Sequence, residues 1–232
     1  MKRFYKAVTN VPVNGGFAIQ LDGRPVKTPA RNALHLPTSA LAEAIAGEWA
    51  AQGDDVDPAT MPLTALAQGA LDQISAERER IEGRIAAFAD SDMLYYRADN
   101  NQQALADHQV ERWGPLLDWA CQRYDVSFTL IHGIRHQSQP EQTIKRLSDA
   151  VKAQDDFALA AMLSLVGLAG SVVVVLALIE GAFDADTLWP LVNLEELWQE
   201  KQWGRDDLAA ATRGIKQAEF NAAVQFLMLS RR

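Results

Sequence analysis

Disulfides are excluded at the outset, because the chain of 232 residues contains a single cysteine, Cys121; neither an intramolecular bridge nor an all-cysteine metal site can form. Histidine is nearly as scarce, with only His35, His108, His132 and His136. The last two lie four residues apart, but in a loop-like stretch containing Gly133 and without an HExxH arrangement, so no bound metal is expected. Positive charge is in deficit: 22 Lys and Arg stand against 30 Asp and Glu, a formal net charge of -8. That sign does not suit a surface built to neutralise phosphates, and nucleic acid is not expected as a partner. Gly-rich phosphate loops are missing too. Asn14-Gly15-Gly16-Phe17 lacks the GxxxxGK[ST] and GxGxxG spacings and reads as a hairpin turn, so no nucleotide cofactor is expected. No Ser, Cys or Asp comes with an adjacent base and orienting partner, which leaves no nucleophile and no small-molecule substrate to propose. The first residues include early basic side chains but no continuous apolar core before a small-residue cleavage site, which argues against a secretory signal.

What is present is the composition of a packed globular protein, 48% hydrophobic and 22% charged, long enough to bury a core of its own. Residues 3–8, 17–21, 26–28 and 33–36 are short, partly alternating runs. They are separated by Asn14-Gly15-Gly16, Asp22-Gly23-Arg24-Pro25 and Pro29-Ala30-Arg31-Asn32, and Asn-Gly and Asp-Gly tolerate the positive φ of tight hairpins. After Pro37 the apolar period becomes helical. It predicts helices over 38–49, capped by Thr38 or Ser39, over 61–74 with Pro62 near the start, over 76–89, and over 102–124 with a kink or restart at Gly114-Pro115. A short strand is expected over 126–131, then helices over 141–151, 155–181, 186–203 and 206–229. The fold class is therefore α+β: a small antiparallel β N-terminal domain (1–37) followed by a larger all-helical domain (38–232). Charge divides along the same line, at +5 over residues 1–37, -8 over 40–100 and -5 over the remainder.

Residues 157–179 form a 23-residue stretch without a charge, long enough to span a bilayer. Ser164, Gly167, Gly170 and Ser171 interrupt it, and Glu180 follows without the Lys/Arg cluster that fixes topology, so a buried helix is expected and no membrane insertion. Asp90-Ser91-Asp92 could serve acid-base or metal chemistry, but a carboxylate at a helix end more often caps the next helix. Cys121 is expected in the core beside Trp119. An enzyme alternative is a metal-dependent or acid-base hydrolase using Asp90, Asp92 and His132.

The segment Leu194-Glu195-Glu196-Leu197-Trp198-Gln199-Glu200-Lys201-Gln202-Trp203-Gly204 is more distinctive. On a helix Leu194, Leu197 and Trp198 make an apolar stripe, while Glu196 and Glu200 form a like-charge pair one turn apart that is destabilising unless Lys201 or a partner answers it. Either a solvated acidic face or a docking face fits that pattern.

The order Arg3-Phe4-Tyr5-Lys6, Leu21-Asp22-Gly23-Arg24-Pro25-Val26-Lys27-Thr28-Pro29, Glu48-Trp49-Ala50-Ala51-Gln52, Met61-Pro62-Leu63-Thr64, Asp92-Met93-Leu94-Tyr95-Tyr96-Arg97, Trp113-Gly114-Pro115-Leu116-Leu117-Asp118-Trp119 and Gln202-Trp203-Gly204 resembles the ATP synthase F(1) assembly chaperones that serve the alpha subunit, the "ATP twelve" family. Gly114 departs from the Asp expected before the proline. The resemblance implies a non-catalytic, monomeric chaperone without cofactors. It binds free alpha subunit and shields the surface later taken by the beta subunit, in a bacterial cytoplasm or, for eukaryotic relatives, the mitochondrial matrix. It also implies an acidic functional position before the terminal Trp-Gly, at Glu195 or Glu196, with Glu195 preferred because it directly follows Leu194. The expected partner-binding residues are Glu195, Glu196, Glu200 and Trp203, while Trp49 is expected to pack in the core.

Overall fold

The computed structural model describes residues 2–231, apart from the side chain of Asn100. Strands β1 (Val8–Val13) and β2 (Gly16–Leu21) pair antiparallel from Val8↔Leu21 to Val13↔Gly16. β3 (Arg24–Pro25) and β4 (His35–Leu36) both pair antiparallel with β2. The β2–β3 turn has positive φ at both Asp22 and Gly23, as its Asp-Gly sequence requires. The Asp22 carboxylate accepts the backbone N–H groups of Ala7 at 2.8 Å and Lys6 at 3.1 Å, and these bonds lower its pKa. At Gly16 an added Cβ would lie 2.3 Å from the Leu36 carbonyl oxygen, so only glycine lets β4 approach this closely.

Helix α1 (Ser39–Ala50) begins at Thr38, whose Oγ1 accepts the Leu41 N–H at 3.1 Å. It buries Leu41, Ala42, Ile45 and Trp49, packing on β1, β2 and β4. Tyr5 lies edge-on to Trp49 and donates its hydroxyl to the Trp49 carbonyl at 2.7 Å, so Trp49 is a core residue. α2 (Pro62–Gly69) starts with Pro62 at its first positions. Its free N–H groups at Leu63 and Thr64 are taken by the Glu48 carboxylate at 2.7 and 2.8 Å. A π-helical turn (Ala70–Ile74) replaces the last turn of the expected 61–74 helix and runs into α3 (Ser75–Ala86).

The chain continues through α4 (Phe88–Ser91), β5 (Tyr96–Arg97), α5 (Gln103–Tyr124), β6 (Ile131–His132), α6 (Glu141–Lys152), α7 (Asp156–Ala169), α8 (Val172–Ile179), α9 (Ala185–Val192), α10 (Leu194–Trp203) and α11 (Asp207–Ser230). Gly114-Pro115 does not interrupt α5. Proline there forfeits its own N–H bond and crowds the carbonyl four residues back, but the face with Leu105, Trp113, Leu116, Leu117 and Ala120 stays buried on both sides of it. The strand expected over 126–131 shrinks to β6, paired parallel with β5. The apolar run divides into α7 and α8 because Gly170 takes φ +63 and Ser171 Oγ accepts the Val174 N–H at 3.0 Å, starting a new helix. Every residue of α8 is buried, and no helix among the described residues is long and apolar enough to cross a membrane. Likewise the expected 186–203 helix breaks at Asn193 into α9 and α10.

Two units emerge. One comprises Met1–Ile81, Asp155–Ser164 and Glu219–Arg232, the other Glu82–Gln154 and Leu165–Ala218. The first therefore joins the sheet to α1, α2 and the end of α11 rather than dividing at residue 37. Within it Phe157 stacks on Phe226 at 5.9 Å, and the Thr38 hydroxyl donates to the Leu229 carbonyl. In the second, α8 is packed by α4, α5, α6 and α9.

Candidate functional site

Helix α10 presents three distinct faces. Leu194 is buried and anchors it. Glu195, Trp198, Gln199, Gln202 and Trp203 follow the helical spacing of 0, 3, 4, 7 and 8 and so share one side. That side walls an open cleft of about 960 Å³ whose other lining includes Met93, Tyr96, Arg97 and Asp99. Trp203 is 78% exposed. Glu196 and Glu200 instead face Arg213 of α11, whose Nη1 and Nη2 lie 2.5 and 2.6 Å from their carboxylates.

The like-charge pair is thus answered from within the chain, by Arg213 rather than by Lys201. Burial pulls the Arg213 pKa down, but the hydrogen bond to Glu200 and the charges of both carboxylates outweigh it and raise the pKa. Of the four residues singled out in the sequence, Glu195 and Trp203 line the cleft, while Glu196 and Glu200 hold α10 to α11. Trp203 also borders a smaller hollow with Glu196, Glu200 and Arg213.

A buried layer orients the cleft. Gln109 on α5 is fully buried. Its Nε2 donates to Glu195 Oε1 at 2.6 Å, and its Oε1 accepts the Ala98 N–H at 2.8 Å. One amide therefore sets both the carboxylate on one wall and the backbone of the other. Arg97 is 4% exposed, with its guanidinium over the Trp113 ring at 5.3 Å and Nη1 donating to the carbonyls of Leu94 and Tyr96. Burial lowers its pKa to about 10, so it remains charged at neutral pH. Trp113 in turn donates Nε1–H to the Leu191 carbonyl at 2.9 Å, tying α5 to α9.

The residues of the hydrolase alternative have other occupations. Asp92 is completely buried. Its Oδ2 accepts the Ser171 hydroxyl at 2.8 Å and the Val173 N–H at 3.0 Å, and its Oδ1 accepts the Leu94 N–H at 3.0 Å, so it caps α8 and the turn after itself. Burial raises its pKa to about 6 against these hydrogen bonds. Asp90 accepts the Gln139 N–H at 2.7 Å and lies 3.3 Å from His136 Nε2; His132 is exposed. Among the described residues no three His, Cys, Asp or Glu side chains gather to hold a metal. Cys121 is half-buried rather than fully buried, and burial with the nearby Asp118 charge raises its pKa.

Trp198, Gln199 and Gln202 were within reach of the sequence through their spacing from Glu195. Gln109, Arg97, Asp99 and Arg213 were not, because nothing in the chain pattern pairs positions 86 residues apart, as with Gln109 and Glu195.

Comparison with known proteins gives a consistent picture. The family described as ATP12 chaperone protein matches residues 2–121. Protein atp12, mitochondrial, of Schizosaccharomyces pombe is 28% identical over 216 residues, covering 88% of this chain and 74% of its own. The crystal structure of Atp12 from Paracoccus denitrificans superposes with a TM-score of 0.94 at 36% identity, over 99% of this chain and 98% of its own. A mutant of that protein with lysine in place of an aspartate gives the same values. The family match runs from the sheet through most of α5, and the superpositions carry the likeness through α10 and α11. The chain belongs to the ATP12 chaperone family.

Proposed function

We propose that this protein is an assembly chaperone for the F-type ATP synthase catalytic head, binding free alpha subunit and shielding its beta-contacting surface until assembly. It does so as a monomer, without catalysis, in the bacterial cytoplasm or the equivalent mitochondrial matrix. The observation that carries this reading is family membership combined with the α10 cleft, where the exposed Trp203 stands beside a carboxylate held in place by a buried amide. Glu195 and Trp203 make the client contact, and Glu196 and Glu200 present the helix through Arg213. A chaperone must release its client to the final partner, which favours a polar, partly open surface of this kind over a large dry one.

Reversing the charge of Glu195 and Glu196 together is a poor test, since it would set cations against the Gln109 amide and Arg213. Trp203→Ala and Glu195→Gln are cleaner. In size-exclusion and calorimetric titrations with purified alpha subunit, the native chain is expected to form a stable complex, and each variant to weaken it by about tenfold or more, a loss typical of interface anchors, with Tm nearly unchanged. No complex with alpha subunit, or equal binding of unrelated unfolded proteins, would overturn the reading.

A further inference from the structure

The acidic side chains of α10 divide into two kinds. Glu196 and Glu200 share an ion pair with Arg213. Among the described residues Glu195 has only the neutral Gln109 amide as a hydrogen-bond partner, and Asp99 across the cleft has no ion pair. The single cation among the described lining residues, Arg97, is withdrawn: it is buried, stacked on Trp113 and bonded to two backbone carbonyls. An occupant of the cleft therefore meets two carboxylates, Glu195 and Asp99, against the one buried cation of Arg97, together with Trp198 and Trp203.

The same arginine limits how the occupant can bind. β5 pairs with β6 on one side, where the Arg97 carbonyl accepts the Gly133 N–H at 3.1 Å. The Tyr96 carbonyl accepts the Arg97 Nη1–H at 3.0 Å, and the Ala98 N–H is bonded to Gln109 Oε1 at 2.8 Å. β5 is two residues long, and a short edge whose flanking backbone is already bonded is a poor template for strand addition. Recognition falls to side chains.

Resting on the client-capture reading above, we propose that the cleft is a receptor for an arginine side chain of the client, presented on a helix or loop. Its cation is answered by Glu195 within the added negative field of Asp99, and its planar group and stem lie against Trp198 and Trp203. Arginine fits better than lysine because the guanidinium is weakly hydrated and stacks on indole faces while still bonding a carboxylate.

The test uses the full chain and two capped peptides, acetyl-Ala-Leu-Arg-Leu-Ala-amide and its citrulline counterpart, which has the same shape without the charge. Binding is read at low salt from the indole N–H signals of Trp198 and Trp203 in NMR spectra. The arginine peptide is expected to bind about tenfold tighter than the citrulline peptide, a gap consistent with one charge-assisted contact plus cation–π attraction. The gap should shrink severalfold in Glu195→Gln and persist in full in Glu219→Gln, an exposed acid on α11 outside the cleft. Equal affinities, a gap undiminished by Glu195→Gln, or absence of binding by either peptide would overturn the inference. Capture of free alpha subunit by the native chain is scored alongside. If the alpha subunit binds and the peptides are not discriminated, the arginine receptor fails and the client reading stands; if the peptides are discriminated and the alpha subunit does not bind, the reverse holds.

Discussion

Asp92 shows what a single buried carboxylate costs and what it accomplishes. Three donors converge on it from Leu94, Ser171 and Val173, so it fastens the turn before β5 to the start of α8. Those bonds favour the anion, yet burial outweighs them and lifts the pKa from 3.8 to about 6. The sign of the pH effect follows. A folded-state pKa above the unfolded value means that the folded protein holds a proton through the window from about 4 to 6, and stability from this group is fully present below the window and lost as pH rises through it. The difference is on the order of 3 kcal/mol by the conversion of 1.36 kcal/mol per pKa unit. Chemical denaturation of the native chain and of Asp92→Asn across pH 4 to 8 checks this. The native chain should gain on the variant as pH falls from 7 to 4, and a constant difference would show that Asp92 does not titrate in that window. The same bonds give Asp92 a structural part within Asp90-Ser91-Asp92, since its oxygens are occupied by a turn and a helix start. Glu48 does the equivalent for α2, which makes the Glu48-Trp49 and Met61-Pro62-Leu63-Thr64 motifs parts of one junction.

Elements whose boundaries rest on local chemistry were legible in the chain: the Asp22-Gly23 turn, the Thr38 cap and the helix over 38–49. Those decided by tertiary packing were not. α5 runs through Gly114-Pro115 because its buried face continues on both sides, and α7 and α8 part at Gly170 because Asp92, distant in sequence, supplies the second cap. α10 is the clearest case. Its four marked residues look like one acidic and aromatic patch in sequence, but the helix turns them to two different neighbours, one of them Arg213 seventeen residues beyond Glu196. A double-mutant cycle on Glu196→Gln and Arg213→Gln measures that contact. Since Arg213 is 16% exposed and Glu196 42%, the coupling should fall near 1 kcal/mol, toward the upper end for ion pairs that solvent still reaches. Zero coupling in urea unfolding would mean that Arg213 does not hold α10, and the division of its acids into paired and unpaired faces would lose its basis.

At the scale of the whole molecule, the β-first, helix-after order was readable from hydropathy and turn residues, because a period of two gives way to a helical period at Pro37. Which pieces fold together was not, since that depends on contacts between ends of the chain. The sheet, α1 and α2 share their unit with residues 155–164 and 219–232, and the links are specific: the Thr38 hydroxyl to the Leu229 carbonyl, Phe157 on Phe226, and Arg78 with Asp156. A chain ending at residue 81 lacks all of these partners. Phe220 and Phe226 are both completely buried in this unit, and deleting buried phenylalanines costs about 3–5 kcal/mol each, which together approaches the ~5–15 kcal/mol that stabilises a typical domain. The fragment 1–81 should therefore remain unfolded, although it contains the entire β1–β4 sheet and the α1 helix that covers it. Circular dichroism and amide NMR of the isolated fragment check this: poor shift dispersion and no cooperative melt are expected. A dispersed spectrum with a sharp thermal transition would instead mean that the sheet and α1 are self-sufficient, leaving the C-terminal helix to add stability to a structure already formed.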